Sequence, residues 1–273
     1  MGKKNNRKNE PAACKENLIP KKNFKGITML KTIISWFKND KVKDGQTNPF
    51  DAQKLFFSDR TDMTIFDVGA YIGDITKIYS NTFPHAAIYC FEPFPDSYQK
   101  LCQLSKNKLI KPFQTAISDY IGSTQLHVNA DASCNSFFPR PVDGVKYYAE
   151  KVKELGKIEV KTTSIDRFCD IENISKINIL KLDVEGAEIK AISGAREKLS
   201  KHAIDLIYTE VMFVPHYEGG CIFHELSSFL VQYGYTLFNL YNLKQAKNGQ
   251  LRWGNAIFLS PRLRAKIKSS DTV

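Results

Sequence analysis

Residues 64–74 read TIFDVGAYIGD, and this stretch decides the fold. Thr64 to Val68 is a short β-branched and aromatic run of the kind that forms a buried strand. It ends in Asp67-Val68-Gly69, and Gly73 stands at the start of a segment that reads as a helix to about Ser80. A glycine just past a strand lets the backbone turn sharply, and one at the helix start lets a ligand approach closely. The same alternation continues outward from this unit. AAIYCFE (86–92) is a second strand, Pro95 to Ser105 a helix with proline near its first turn, and PFQTAIS (112–118) a third strand. INILKLDVEG (177–186) reads as a continuous apolar fourth core strand followed by a helix from Ala187 to Lys198. IDLIYTEV (204–211) is the fifth, with a helix over Phe223–Tyr233. YTLFNLY (235–241) and NAIFLS (255–260) form a terminal antiparallel hairpin. Ser123–Asn129 and Ile158–Thr163 alternate with period 2 and predict an inserted antiparallel excursion. Strands alternating with helices mean an α/β protein with a doubly wound, mostly parallel sheet covered on both faces.

In such sheets ligands bind outside the carboxyl ends of the strands, where strand order reverses. Acids and glycines stand at those ends. Asp67, Gly69 and Gly73 follow the first strand, and Glu92 the second, where a carboxylate can accept both hydrogen bonds of a ribose diol. Ser118 and Asp119 follow the third and Asp183 and Glu185 the fourth, while His216 lies in the loop after the fifth. The GxGxxG dinucleotide fingerprint and the Walker A pattern are both absent. A carboxylate at the end of the first strand repels a pyrophosphate but suits a cationic sulfonium and an ammonium group. A nucleoside without phosphates therefore fits better than NAD or ATP.

FDVGAYIGD (66–74), FEPFP (91–95), AISD (116–119), ILKLDVEGAE (179–188) and IYTEV (207–211), taken together and in this order, resemble the FkbM-type branch of class I S-adenosylmethionine-dependent methyltransferases over about residues 60–260. The resemblance implies a seven-stranded Rossmann-like sheet with an inserted hairpin. It also implies S-adenosylmethionine as cofactor and O-methylation of a hydroxyl, often on a sugar or natural product. Asp67, Gly69, Gly73, Glu92, Ser118 and Asp119 become the expected cofactor-binding residues. Asp183 is the expected proton acceptor, Glu185 the second choice and His216 the reserve, with no metal required by any spacing; Asp183 with a neighbour such as Glu210 is the pair that a divalent ion would take. Two departures stand out: Asn135-Ser136 occupies a loop where the family often has paired serines, and the basic first 60 residues match nothing in the family core.

Each assignment has a plainer alternative. In it the glycine turn serves only the fold, Ser118-Asp119 is ordinary turn chemistry, and Glu188 reads as solvated. His85, His127 and His202 read as surface residues, and His224 fails the HExxH zinc pattern because residue 228 is Ser.

Net charge is +10, but residues 1–43 hold twelve Lys/Arg against three acids, and the last thirteen residues four against one. The body between is slightly acidic, which argues against a stable nucleic-acid partner. The organisation read from this is a basic disordered tail (1–23), an N-terminal helical segment (24–59), a methyltransferase domain (60–262) and a basic C-terminal tail (263–273). Within the second part, GITMLKTIISWFK (26–38) has helical apolar spacing. It either covers an edge of the domain or rests weakly on an anionic membrane surface. The six cysteines form no CxxC pair, and no leader or membrane-spanning run opens the chain, so a reducing, cytoplasmic setting is expected. The acceptor is a small molecule or glycan. The competing functions are a nucleoside-binding scaffold without catalysis and a nucleic-acid methyltransferase using the basic tails.

Overall fold

The computed structural model describes residues 48–141 and 153–268. The tail 1–23, the amphipathic stretch 26–38 and the last five residues lie outside the described residues. In chain order the first elements are α1 (Pro49–Phe56), β1 (Thr64–Val68), α2 (Asp74–Thr82), β2 (Ala87–Phe91), α3 (Pro95–Cys102) and β3 (Ile110–Phe113). Then come β4 (Ala116–Ile117), β5 (Gly122–Asn129), β6 (Glu154–Thr163), α4 (Ile165–Ile171), β7 (Ile177–Leu182), α5 (Glu188–Ser193) and α6 (Arg196–Ser200). The last are β8 (Ile204–Met212), α7 (Phe223–Gln232), β9 (Thr236–Gln245), β10 (Leu251–Leu259) and α8 (Pro261–Lys268).

Seven strands form one sheet in the order β3-β2-β1-β7-β8-β10-β9, parallel except for β10, which runs against both neighbours. This is the doubly wound α/β sheet with a terminal hairpin that the sequence predicts. Strand order reverses between β1 and β7, so the two turns that leave their carboxyl ends open a crevice there. The period-2 segments pair as the antiparallel β5–β6 hairpin, which forms a small second sheet with β4.

Both faces are apolar. On one, Phe168 of α4 stands edge-on to Phe91 and Phe113 at 4.8 Å between centroids, with Phe66 and Tyr89 beside them. On the other, Tyr79 and Leu101 pack with Ile65, Ile88 and Phe57. Residues 49–56 join this second core: Asn48 caps α1 by accepting from Phe50 N–H at 2.9 Å, and Phe50 meets Tyr79 and Tyr208 edge-on. Residues 261–268, which run from the end of the expected domain into the segment 263–273 expected as a tail, form α8 with Leu263 buried.

Four details differ from the sequence reading. PFQTAIS is not one strand: Thr115 N–H donates to Phe113 O at 3.0 Å, and this tight turn hands Ala116-Ile117 to the second sheet. The helix expected over 187–198 breaks at Gly194. A Cβ at Gly194 would lie 2.1 Å from Ser118 O, so the chain approaches β4 more closely than any side chain permits. Glu188 is buried rather than solvated, because its Oε1 accepts from Val184 N–H and Gly186 N–H. His127 is buried as well, its Nδ1 sitting 2.9 Å from Glu154 Oε2.

Gly194→Ala should force this contact apart and cost about 1–3 kcal/mol. A denaturation midpoint equal to that of the wild type would show that the two segments separate freely.

Candidate functional site

A cavity of about 570 Å³ opens at the carboxyl ends of β1, β2, β7 and β8. Its floor is the turn after β1. Gly69 has φ +72°, and a Cβ there would sit 1.8 Å from Asp183 O. The turns after β1 and β7 therefore touch backbone to backbone, which only glycine allows. Gly69 and Ala70 N–H both donate to Phe91 O at 3.0 Å, tying this turn to β2 as well. Glu92 closes that side: Tyr71 N–H donates to its Oε2 at 2.8 Å and Phe94 N–H to its Oε1 at 2.9 Å. Burial outweighs these bonds and pushes the Glu92 carboxyl up to about 7.

The opposite wall comes from the end of β7. Lys181 is almost fully buried and donates to Gly69 O at 2.7 Å and to Val68 O at 3.3 Å. It also pairs with Asp67 Oδ1 at 3.1 Å and Asp183 Oδ2 at 3.7 Å. The Asp183 side chain is 42% exposed and faces the cavity. Glu185, in the left-handed region at φ 53°, is held by a short hydrogen bond from Tyr217 OH, with the Arg140 guanidinium 4.0 Å away. That guanidinium also stacks on the Tyr217 ring and donates to its hydroxyl. Glu210, from β8, completes the group, its Oε2 shut from solvent without a hydrogen-bond partner. Oxygens of Asp183, Glu185 and Glu210 lie within 4.8 Å of one another, close enough for one divalent cation to span. Burial and then the Asp183 charge push Glu185 up to about 8. Burial and then Glu185 drive Glu210 well above the carboxylate range.

Of the residues expected from sequence, the cavity brings together Gly69, Glu92, Asp183 and Glu185. Asp67, expected to face the cofactor, is instead sealed beneath the turn by Lys181 and by Thr76, whose hydroxyl donates to its Oδ2 at 2.6 Å. Gly73 starts α2 in the left-handed conformation, packed against Leu101 and Leu104. Ser118 is buried against Gly194, and Asp119 is exposed beside it; neither lines the cavity. His216 is buried off the cavity, and desolvation lowers it to about 4. Sequence reasoning missed Lys181, Tyr71 and the outer rim of Phe50, Asn242, Lys244 and Trp253. The lone charge in a strand otherwise apolar but for Asn178 was the available signal for the first of these.

A family model described as "Methyltransferase FkbM domain" matches residues 67–237. The chain is 30% identical over 169 residues to "2-O-methyltransferase NoeI" of Sinorhizobium fredii, covering 59% of this chain and 68% of that protein. It is 27% identical over 152 residues to "Hexuronic acid methyltransferase AglP" of Haloferax volcanii, covering 55% of this chain and 56% of that one. Among solved structures, a precorrin-6y C5,15-methyltransferase from Geobacter metallireducens aligns with a TM-score of 0.42 at 9% identity, covering 81% of this chain and 96% of that chain.

The buried carboxyls predict a pH signature. Glu92 and Glu188 at about 7 and Glu185 at about 8 hold protons in the fold that the unfolded chain has already released. The native state thus binds more protons, and stability falls as pH rises through that range. The melting temperature should drop between about pH 5 and about pH 8, offset in part below about pH 6.5, where His216, lowered to about 4 in the fold, takes up a proton on unfolding. Glu185→Gln should flatten the drop; an unchanged slope would show that Glu185 is ionised throughout.

Proposed function

Because the chain belongs to the FkbM methyltransferase family, whose model matches more than half of its length, we propose that it transfers a methyl group to a hydroxyl of a carbohydrate acceptor. Its cofactor is S-adenosylmethionine, which when bound supplies an electrophilic sulfonium methyl. The cavity's donor set fits that group. Glu92 offers two carboxylate oxygens, each steadied by one backbone N–H and each with a lone pair left for a ribose hydroxyl. Gly69 leaves the floor free of a side chain.

The observation that carries the reading is the half-exposed Asp183 carboxylate facing the same cavity as Glu92. An alcohol holds its proton far above neutral pH, so a carboxylate placed to receive it lowers the barrier as the oxygen loses that proton. Asp183 is the candidate. Glu185 ranks second, because below about pH 8 it already carries a proton and is tied to Tyr217 and Arg140. His216 drops out by position. The outer rim supports a sugar as acceptor: Trp253 and Phe50 offer apolar faces for ring C–H groups, and Asn242, Lys244 and Asn255 offer polar partners for hydroxyls. The names of two relatives, a 2-O-methyltransferase and a hexuronic acid methyltransferase, agree with this class.

Three measurements test the proposal. Glu92→Ala should fold normally and bind S-adenosylmethionine at least about tenfold more weakly, since charge-assisted hydrogen bonds contribute roughly 1.5–3 kcal/mol each. Unchanged affinity in calorimetric titration would remove Glu92 from the site. Asp183→Asn should keep cofactor binding while turnover of a glycoside acceptor falls about 10²–10⁴-fold. Near-normal turnover would end the assignment. Wild-type turnover should survive EDTA; loss that added magnesium restores would shift the activation of the hydroxyl to a cation held by Asp183, Glu185 and Glu210.

A further inference from the structure

The turn after β1 holds a side chain that the fold does not account for. Tyr71 has φ 51°, in the left-handed region where a bulky residue is strained. Among the described residues four others besides glycine share that region. Asn173 and Asn242 adopt it readily, and the side chains of His202 and Glu185 are hydrogen-bonded in place. Tyr71 has no such anchor. Among the described residues its hydroxyl makes no hydrogen bond, its ring meets no other ring, and it joins none of the apolar clusters. Its backbone N–H does serve the site, donating to Glu92 Oε2 at 2.8 Å, but glycine or asparagine would present that N–H with less strain. What tyrosine adds is a half-buried ring on the cavity wall. Burial and then the charges of Asp131, Glu92 and Asp74 hold its hydroxyl above the ordinary range, so the ring stays neutral among acids. A neutral aromatic face in such surroundings attracts a cation.

We infer that Tyr71 selects the charged form of the cofactor: its ring meets the sulfonium of S-adenosylmethionine in a cation–π contact, so the protein holds the methyl donor more tightly than the neutral thioether that remains after transfer. The inference rests on the reading of Glu92 as the ribose site. The turn runs from Gly69, which touches Asp183 O, to the Tyr71 N–H on Glu92. A cofactor with its ribose on Glu92 and its methyl delivered toward Asp183 carries its sulfur across this turn. When the methyl leaves, the carbon–sulfur bonding pair stays on sulfur and the positive charge is gone. A contact that depends on that charge then weakens, which favours exchange of the product, S-adenosylhomocysteine, for fresh donor. The backbone strain at residue 71 is the cost of placing a ring where the turn alone would take glycine.

The experiment is calorimetric titration of the full chain with S-adenosylmethionine and with S-adenosylhomocysteine, without acceptor, together with a melting curve. Tyr71→Asn should melt at or above the wild-type temperature, because asparagine tolerates the left-handed backbone. It should also lose at least about fivefold of the preference for S-adenosylmethionine over S-adenosylhomocysteine. Tyr71→Phe keeps the ring and should keep the wild-type ratio of the two affinities. Equal weakening of both ligands in Tyr71→Asn would make the ring a plain wall, and unchanged affinities would place it off the cofactor; either result overturns the inference. So does a Tyr71→Phe variant that loses the preference, since the hydroxyl rather than the ring would then carry it. A melting temperature of Tyr71→Asn well below wild type would give the ring a packing role and overturn the inference as well. Glu92→Ala in the same titrations separates failure of the ribose reading. It should weaken both ligands alike, because both carry the ribose. If it leaves both unchanged, the ribose reading falls, while the ratio in Tyr71→Asn still decides the role of the ring.

Discussion

The buried contact between Lys181 and Asp67 is the constraint on which the site depends. An ammonium and a carboxylate at 3.1 Å, both nearly closed to solvent, are not a cheap way to stabilise a sheet. Desolvation takes back most of what their attraction gives, and apolar residues of similar volume often serve as well or better. What the pair supplies is location. Asp67 is held by Thr76 at the start of α2, so the ammonium is drawn to the end of β1 and bonds the carbonyls of Val68 and Gly69. The turn that floors the cavity is thereby fixed from beneath. Removing one partner alone would strand a buried charge at a cost of about 3–5 kcal/mol.

That fixed floor explains why so many carboxyls tolerate one another above it. Asp183, Glu185, Glu210 and Glu92 line one cavity with Glu188 buried behind the turn, and burial with repulsion from neighbouring carboxylates raises Glu185, Glu188, Glu210 and Glu92. Backbone N–H groups meet two of them: Glu92 takes two, and Glu188 takes those of Val184 and Gly186. Tyr217 and Arg140 meet Glu185. Glu210 Oε2 has no such partner, and burial drives this carboxyl well above the ordinary carboxylate range. The result is a graded set of acids rather than a uniform anionic surface. On the proposed reading, such grading lets one cavity hold a hydroxyl, take its proton and still accept a cationic cofactor.

Beyond the acids, part of the cavity wall comes from residues 132–137 after β5 and part from the ends of the described chain. Phe50 arrives on α1, before the first strand, and Trp253 and Lys244 arrive on the terminal hairpin, which joins the sheet only through β10 against β8. The floor is thus built by the elements that define the fold, and the rim by elements appended to it. If the rim receives the acceptor as proposed, acceptor preference can change there without disturbing the floor.

Much of this was legible from local pattern. Alternating strand and helix signals gave the doubly wound sheet, because hydrophobic periodicity and glycine at strand ends are properties of neighbouring residues. Gly69, Glu92, Asp183 and Glu185 stood at strand ends in the sequence, and parallel strands place their carboxyl ends on one edge, so these four had to meet. What local pattern could not give was the direction and partner of each side chain. Asp67 looked like a ligand residue until the register of β1 against β7 set it opposite Lys181. Lys181 looked like core until the same register carried its ammonium to the turn. Thr115 closed a turn that split the third strand, and Gly194 broke a helix because Ser118 had to pass close by. Each of these contacts joins segments whose approach is fixed by sheet register and backbone packing. The chain's own order therefore determined which groups share an edge, and only tertiary structure decided which of them face the cavity and which face each other.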